Sequence, residues 1–199
     1  MFKILKGGIE PQIKTEFSSS ADLCSREDIV IGAGETKIIP LGVRIDLEEI
    51  KKIVIKINGL DNEDGYLSEC LDTFLKSHFL ELKIRSSLSF NLIVANGVGE
   101  IDLDYPDEIG LIVHNPIRNR TPYRNVDDKY LAGNMIVKND EKITIELKPC
   151  NSMEFLNSDI NIKAGDRVAQ IKLMEHKNYL MPEKYRTSEK RTGGYGSTR

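Results

Sequence analysis

Residues 36–47 read TKIIPLGVRIDL, two runs of branched residues interrupted by Pro-Leu-Gly. Branched side chains favour a pleated, half-buried surface, and Pro followed by Gly cannot continue a ladder, so the segment predicts two short strands with a bend between them. The same grammar recurs along the chain. Apolar residues at a period of two in FLELKIR (79–85), IGLIVHN (109–115), ITIELK (143–148) and VAQIKLM (168–174) predict further half-buried strands. KKIVIKIN (51–58), with isoleucines at 53, 55 and 57, is read as another strand on the same ground. Short strands separated by Gly, Asn and Pro turns predict an all-β barrel or sandwich. One segment departs. GYLSECLDTFLKSHFL (65–80) spaces Leu67, Cys70, Leu71, Phe74 and Leu75 by three and four, which predicts one amphipathic helix lying across the β core or on a neighbouring subunit. The stretch from about 116 to 160 is polar and turn-rich around the strand at 143–148 and reads as surface elaboration.

Bulk properties narrow the function. At 199 residues the chain can bury one core without a second domain. A net charge of -3 and a pI of about 5.7 exclude a global positive field for duplex nucleic acid, although a few local cations and N–H groups suffice for one phosphate chain. Three dispersed cysteines, Cys24, Cys70 and Cys150, lack CxxC spacing and read as inert thiols in a reducing compartment. His78, His114 and His176 fall in no zinc spacing. MFKILKGGIEPQIK at the start has no apolar leader core, and no window approaches the ~20 apolar residues of a membrane span. A cytoplasmic protein without a membrane partner is expected.

Chemistry concentrates in five short segments. SSSADL (18–23) offers hydroxyls and Asp22, a pattern equally at home in an Asx turn. RSSLS (85–89) follows a strand, and Arg85, Ser86 and Ser87 could contact phosphate oxygens or form an ordinary surface turn. ANGVGEIDLDYPDEIG (95–110) crowds five carboxylates beside Gly97 and Gly99, whose backbone freedom would let a hairpin present its own N–H and C=O groups. Alternation there puts Asp102 and Asp104 on one face. AGDRVAQ (164–170) is a tight turn entering a strand that carries Arg167 and Gln170. GGYGST (193–198) lacks Walker A spacing, yet its successive N–H groups could wrap a polyphosphate with Tyr195 over a base.

In order and together, these segments resemble the five motifs of the trimeric deoxyuridine triphosphatase (dUTPase) family: SSADL (19–23), RSSLS (85–89), NGVGEIDLDYPDE (96–108), AGDRVAQ (164–170) and RTGGYGST (191–198). The resemblance spans nearly the whole chain. It implies an all-β, jelly-roll-like fold, the β-clip of that family, with one inserted helix. It further implies a homotrimer with shared active sites, and Mg²⁺-dependent hydrolysis of dUTP to dUMP and pyrophosphate. The β domain would occupy 1–182, with insertions near 49–77 and 116–160, and 183–199 would be an arm that closes the site.

By the same resemblance, Asp102 activates the water that attacks the α-phosphorus. Tyr105 excludes a 2′-hydroxyl, and backbone around Asn96, Gly99 and Ile101 reads the uracil edge. Arg85, Ser86, Ser87 and Gln170 hold phosphates, and Asp22 meets Mg²⁺ through water. Tyr195 stacks on the base, with Gly194, Gly196, Ser197 and Thr198 around it. Asp104, Asp107, Glu100 and Glu108 fall to structural or solvated roles. Departures from the family pattern leave either Lys190 or Arg191 to grip the γ-phosphate, Arg191 having the better fork for it. Enlarged members of this kind suggest a phage or viral source, and the insertions suggest a protein partner. The related dCTP deaminases share the fold, and a trimeric nucleotide-binding regulator is a further alternative. If 183–199 is a lid, truncation after Lys190 lowers dUTP turnover severely while the trimer survives, as read by pyrophosphate release and light scattering; full activity removes the lid role.

Overall fold

The computed structural model describes residues 1–116 and 159–185, together with the backbone of strands at 123–124, 130–138 and 142–149. The interrupted stretch at 36–47 forms two strands, as expected. In chain order the strands are β1 (Phe2–Ile4), β2 (Ala21–Cys24), β3 (Ile29–Ile31), β4 (Thr36–Pro40), β5 (Val43–Ile45), β6 (His78–Ile84), β7 (Ile93–Val94), β8 (Gly99–Asp102) and β9 (Gly110–His114). They continue with β10 (Tyr123–Arg124), β11 (Tyr130–Lys138), β12 (Lys142–Pro149), β13 (Ile160–Ile162) and β14 (Arg167–Glu175). Helices α1 (Leu47–Asn58) and α2 (Leu67–Ser77) lie between β5 and β6, and a single turn, α3 (Ser86–Ser89), follows β6.

Among the described residues all the strand pairings are antiparallel. A four-stranded sheet runs β2-β14-β6-β8, and a three-stranded sheet runs β4-β9-β7. Smaller pairs β1-β5 and β13-β3 complete the sandwich. Leu80 and Leu82 on β6, Ile39 on β4 and Leu111 and Val113 on β9 point into one core with Leu23, Ile109, Val168 and Ile171. At about 25 cal/mol per Å² of apolar surface buried, such a cluster is the main favourable term in the fold.

Two expectations are corrected. The segment 51–58 is helix, not strand. Its burial follows i, i+4, with Ile50 and Val54 fully buried while Ile57 is 64% exposed. Alternating isoleucines cannot distinguish the two periods in a short apolar run, but the flanks can. Asp46 caps the helix by accepting from the Glu48 N–H at 3.0 Å, Glu48 and Glu49 complement the dipole, and Gly59 closes it in the left-handed region at φ 64°. The segment between β5 and β6 thus carries two helices packed together, where one was expected. The expected helix at 65–80 ends at Ser77, because 78–84 is claimed by β14 in the register Ala169↔Ile84 to Glu175↔His78.

The segment 116–160 also holds more order than the irregular stretch expected around 143–148. That strand lies within β12, which pairs with β11 over its length, and β11 pairs with β10. Among the described residues no helix is long and apolar enough to cross a membrane.

The helical reading of 47–58 has a direct consequence. Ile50→Ala should cost ~2–5 kcal/mol, as for a fully buried Ile, whereas Ile57→Ala should stay within ~0.5 kcal/mol. Urea unfolding of the two variants checks this; the reverse order would restore the strand.

Candidate active site

The four-stranded sheet brings three of the five sequence segments to one point. Asp22 on β2 is only 6% exposed, and its carboxylate is held by three donors from elsewhere in the chain. Arg167 Nη1 lies 3.0 Å from Oδ2, Gln170 Nε2 donates to Oδ1 at 3.1 Å, and Arg85 Nε lies 3.4 Å from Oδ1. Arg167 and Gln170 are three apart on β14, so in a regular strand they would face opposite sides. The ladder to β2 slips between Arg167 and Ala169, and this bulge at Val168 turns both side chains toward Asp22. The Val168 carbonyl accepts from the Arg85 N–H at 3.0 Å, which fixes the entry to α3. Ser86 and Ser87, in the first turn of α3, are exposed beside this cluster. Arg85, Ser86, Ser87, Gln170 and Asp22 are therefore neighbours, and Arg167, which the sequence marks only as a charge on the strand entered from the 164–166 turn, joins them. Residue order does not show its partner, because a bulge leaves no residue signature here.

The donors at Asp22 do not fit a directly bound divalent ion. Two guanidinium groups already balance the carboxylate, and among the described residues no three His, Cys, Asp or Glu side chains gather as a metal would need. Nearby, burial first and the Asp22 carboxylate second push the Cys24 thiol above its ordinary range, which keeps it protonated and inert.

A second constellation forms where the two larger sheets meet. A pocket of about 180 Å³ is lined by Asn96, Gly99, Ile101 and Tyr105 with Leu82 and Val94 and with Leu111 and Ile112 of β9. It is smaller than the ~300–1,000 Å³ of whole-ligand pockets, which suits a planar base better than an entire nucleotide. The hairpin expected at Gly97 and Gly99 is a corner between sheets: β7 pairs with β9, whereas β8 pairs with β6. Gly97 turns that corner at φ 74°. Gly99 serves differently, since a Cβ there would sit 3.2 Å from Leu82 Cβ. The alternation expected beyond residue 100 holds as exposure, with Asp102 and Asp104 exposed and Leu103 and Tyr105 buried. Its cause is a turn, in which the Tyr105 N–H bonds to the Asp102 carbonyl at 3.0 Å. Tyr105 is thereby folded back into the pocket wall with Asp102 at the last position of β8.

The two constellations do not meet within one chain. Asp22, Gln170 and Lys83 share one row across the sheet, while Asp102 pairs with Phe79, four residues further along β6 and at the opposite edge. Strand rise and spacing put Asp102 on the order of 20 Å from Asp22. Arg191, Gly194, Tyr195, Gly196, Ser197 and Thr198 lie outside the described residues, as does Lys190. Removing the shared anion should be costly. Asp22→Ala is expected to lose ~1–3 kcal/mol in urea unfolding, less than the ~3–5 kcal/mol of a fully buried pair because water reaches the half-exposed Arg167.

No protein-family model matches the sequence, and no curated protein matches it. Solved structures do. The dUTPase of Staphylococcus bacteriophage 80alpha aligns over 96% of this chain and 97% of its own, at TM-score 0.53 and 18% identity. A mutant of the dUTPase from phage phi11 of S. aureus, in which a structural Mg(II) ion is coordinated, aligns over 95% and 96% at TM-score 0.53 and 17% identity. Another structure of the phi11 enzyme, which shows its species-specific insert, covers 99% of this chain and 97% of its own at TM-score 0.50 and 15% identity. The antiparallel sandwich described above is the dUTPase fold, and its neighbours include phage enzymes.

Proposed function

We propose that the protein is a dUTP diphosphatase, converting dUTP and water to dUMP and pyrophosphate. The observation that carries this reading is the base-sized pocket walled by Asn96, Gly99, Ile101 and Tyr105, with Asp102 leaving it on the adjoining turn. Deoxyuridine would enter with its base against the backbone of the 96–101 corner. Tyr105 would pack on the deoxyribose and leave no room for a 2′-hydroxyl. Asp102 would take a proton from the attacking water as its oxygen bonds to the α-phosphorus, while the bond to the bridging β-phosphate oxygen breaks and pyrophosphate departs. Arg85, Ser86, Ser87 and Gln170 would bind the phosphate chain.

The divalent ion belongs to the substrate in this reading. Mg²⁺ bound by the triphosphate would neutralise charge there, and Asp22 would reach it only through its water shell. Arg191, or Lys190 beside it, and the 194–198 segment would close the site as an arm over a domain ending near 182.

A site assembled from more than one copy accounts for the ~20 Å between Asp102 and Asp22, which one chain leaves apart. Each active site would pair the 96–105 pocket of one protomer with the Asp22 cluster of the next, in a homotrimer. We place such a protein in the cytoplasm, of the host cell if its source is a phage, with any additional protein partner meeting the insertions.

Purified protein incubated with dUTP or dCTP tests the reading: pyrophosphate from dUTP is expected, whereas ammonia from dCTP would make it a deaminase. Asp102→Asn should abolish turnover yet retain nucleotide binding. Co-refolding inactive Asp102→Asn with inactive Arg85→Ala should restore activity, since mixed trimers hold some sites with both halves intact. No recovery would argue for a site within one chain.

A further inference from the structure

Glu108 is the one acid of the 100–108 cluster whose side chain is drawn inward, with 22% of it exposed. Its Oε1 accepts the Gly42 N–H at 2.7 Å. The same oxygen lies 3.0 Å from Arg26 Nε, a buried atom with no aligned hydrogen-bond acceptor, so that contact is charge against charge. Two backbone bonds sit beside it: the Leu41 N–H to the Ile109 carbonyl at 3.1 Å, and the Ile109 N–H to the Val43 carbonyl at 2.9 Å. Arg26 is itself tied to the bend, its N–H donating to the Pro40 carbonyl at 3.0 Å. The bend offers little freedom to follow a shift. Gly42 sits at φ 66°, and a Cβ on Gly8 would fall 2.0 Å from the Gly42 carbonyl oxygen.

At its other end the segment holds the pocket wall. Tyr105 OH donates to the Glu108 carbonyl at 3.4 Å, and Tyr105 N–H closes the turn from Asp102. The residues between the proposed base and Glu108 form no strand, so their path is set by these attachments rather than by a ladder.

We propose that Glu108 is a positioning residue for the sugar side of the pocket. Its carboxylate, pinned by Gly42 and Arg26, sets how deeply the Tyr105 ring stands in the pocket and thereby the preference for deoxyribose over ribose. This rests on the dUTP diphosphatase reading of the pocket. The test compares wild type, Glu108→Ala, Glu108→Gln and, as a control destabilised away from the pocket, Ile50→Ala. Each is assayed for kcat/KM on dUTP and UTP, for binding of dUMP and UMP, and for hydrogen exchange across 102–109.

Glu108→Ala should lower the dUTP-over-UTP ratio roughly tenfold to a hundredfold, the scale of effect a misplacement of about 1 Å produces. Exchange at 102–109 should rise. Glu108→Gln keeps an acceptor for the Gly42 N–H and should retain most of the selectivity. An unchanged ratio in Glu108→Ala overturns the proposal, even where exchange rises. An equal loss in Ile50→Ala does so too. Wild type that binds dUMP over UMP without hydrolysing dUTP would defeat the diphosphatase reading alone, and wild type that discriminates neither defeats both.

Discussion

A single buried carboxylate organises one end of the four-stranded sheet. Asp22 sits at 6% exposure and would be expensive there if unpaired. The fold repays that cost by bringing two guanidinium groups and an amide to it, from Arg167 and Gln170 on the neighbouring β14 and from Arg85 just past the end of β6. The arrangement requires the β2-β14-β6 order and a slipped register at Val168. Without that slip Arg167 and Gln170 would face opposite sides of the sheet, and Asp22 would lose one of them. The ion cluster and the sheet topology therefore depend on each other.

The pocket obeys a different constraint. It exists because two sheets diverge at the 93–102 corner, where β7 joins β9 and β8 joins β6. Apolar walls from both sheets close the sides, and a turn brings Tyr105 back across the opening. Three residues beyond Tyr105, the chain is fastened to the 40–42 bend, where Gly42 and Arg26 meet Glu108. An acid cluster that looks uniform in the sequence thus divides into an exposed position at the pocket, three solvated neighbours and one inward anchor.

Much of the architecture is legible in residue order. The Pro-Leu-Gly break and the alternation in 79–85 and 168–174 each follow from local sterics or from a period of two, so they survive in any context that buries one face. The error at 51–58 shows the limit of periodicity. Isoleucines at 53, 55 and 57 satisfy a strand, but Asp46 and Gly59 mark helix ends, and end signals outweigh a short apolar run whose pattern fits both. The candidate site was legible as a set of segments, since SADL, RSS, GEIDLDY and DRVAQ each carry chemistry in adjacent residues.

By itself the sequence determined the strand-rich class, the segments that carry polar chemistry and the alternation that puts Asp102 and Asp104 on one face. Only the tertiary structure decided the partnerships: Arg167 turned to Asp22 by a bulge, Glu108 pinned to Gly42, and Asp102 separated from the Asp22 cluster by the width of a sheet. The reason is one of range. Backbone sterics and side-chain periodicity act within a few residues, whereas register, bulges and sheet order are settled by contacts between residues tens to over a hundred positions apart, which residue order alone does not contain.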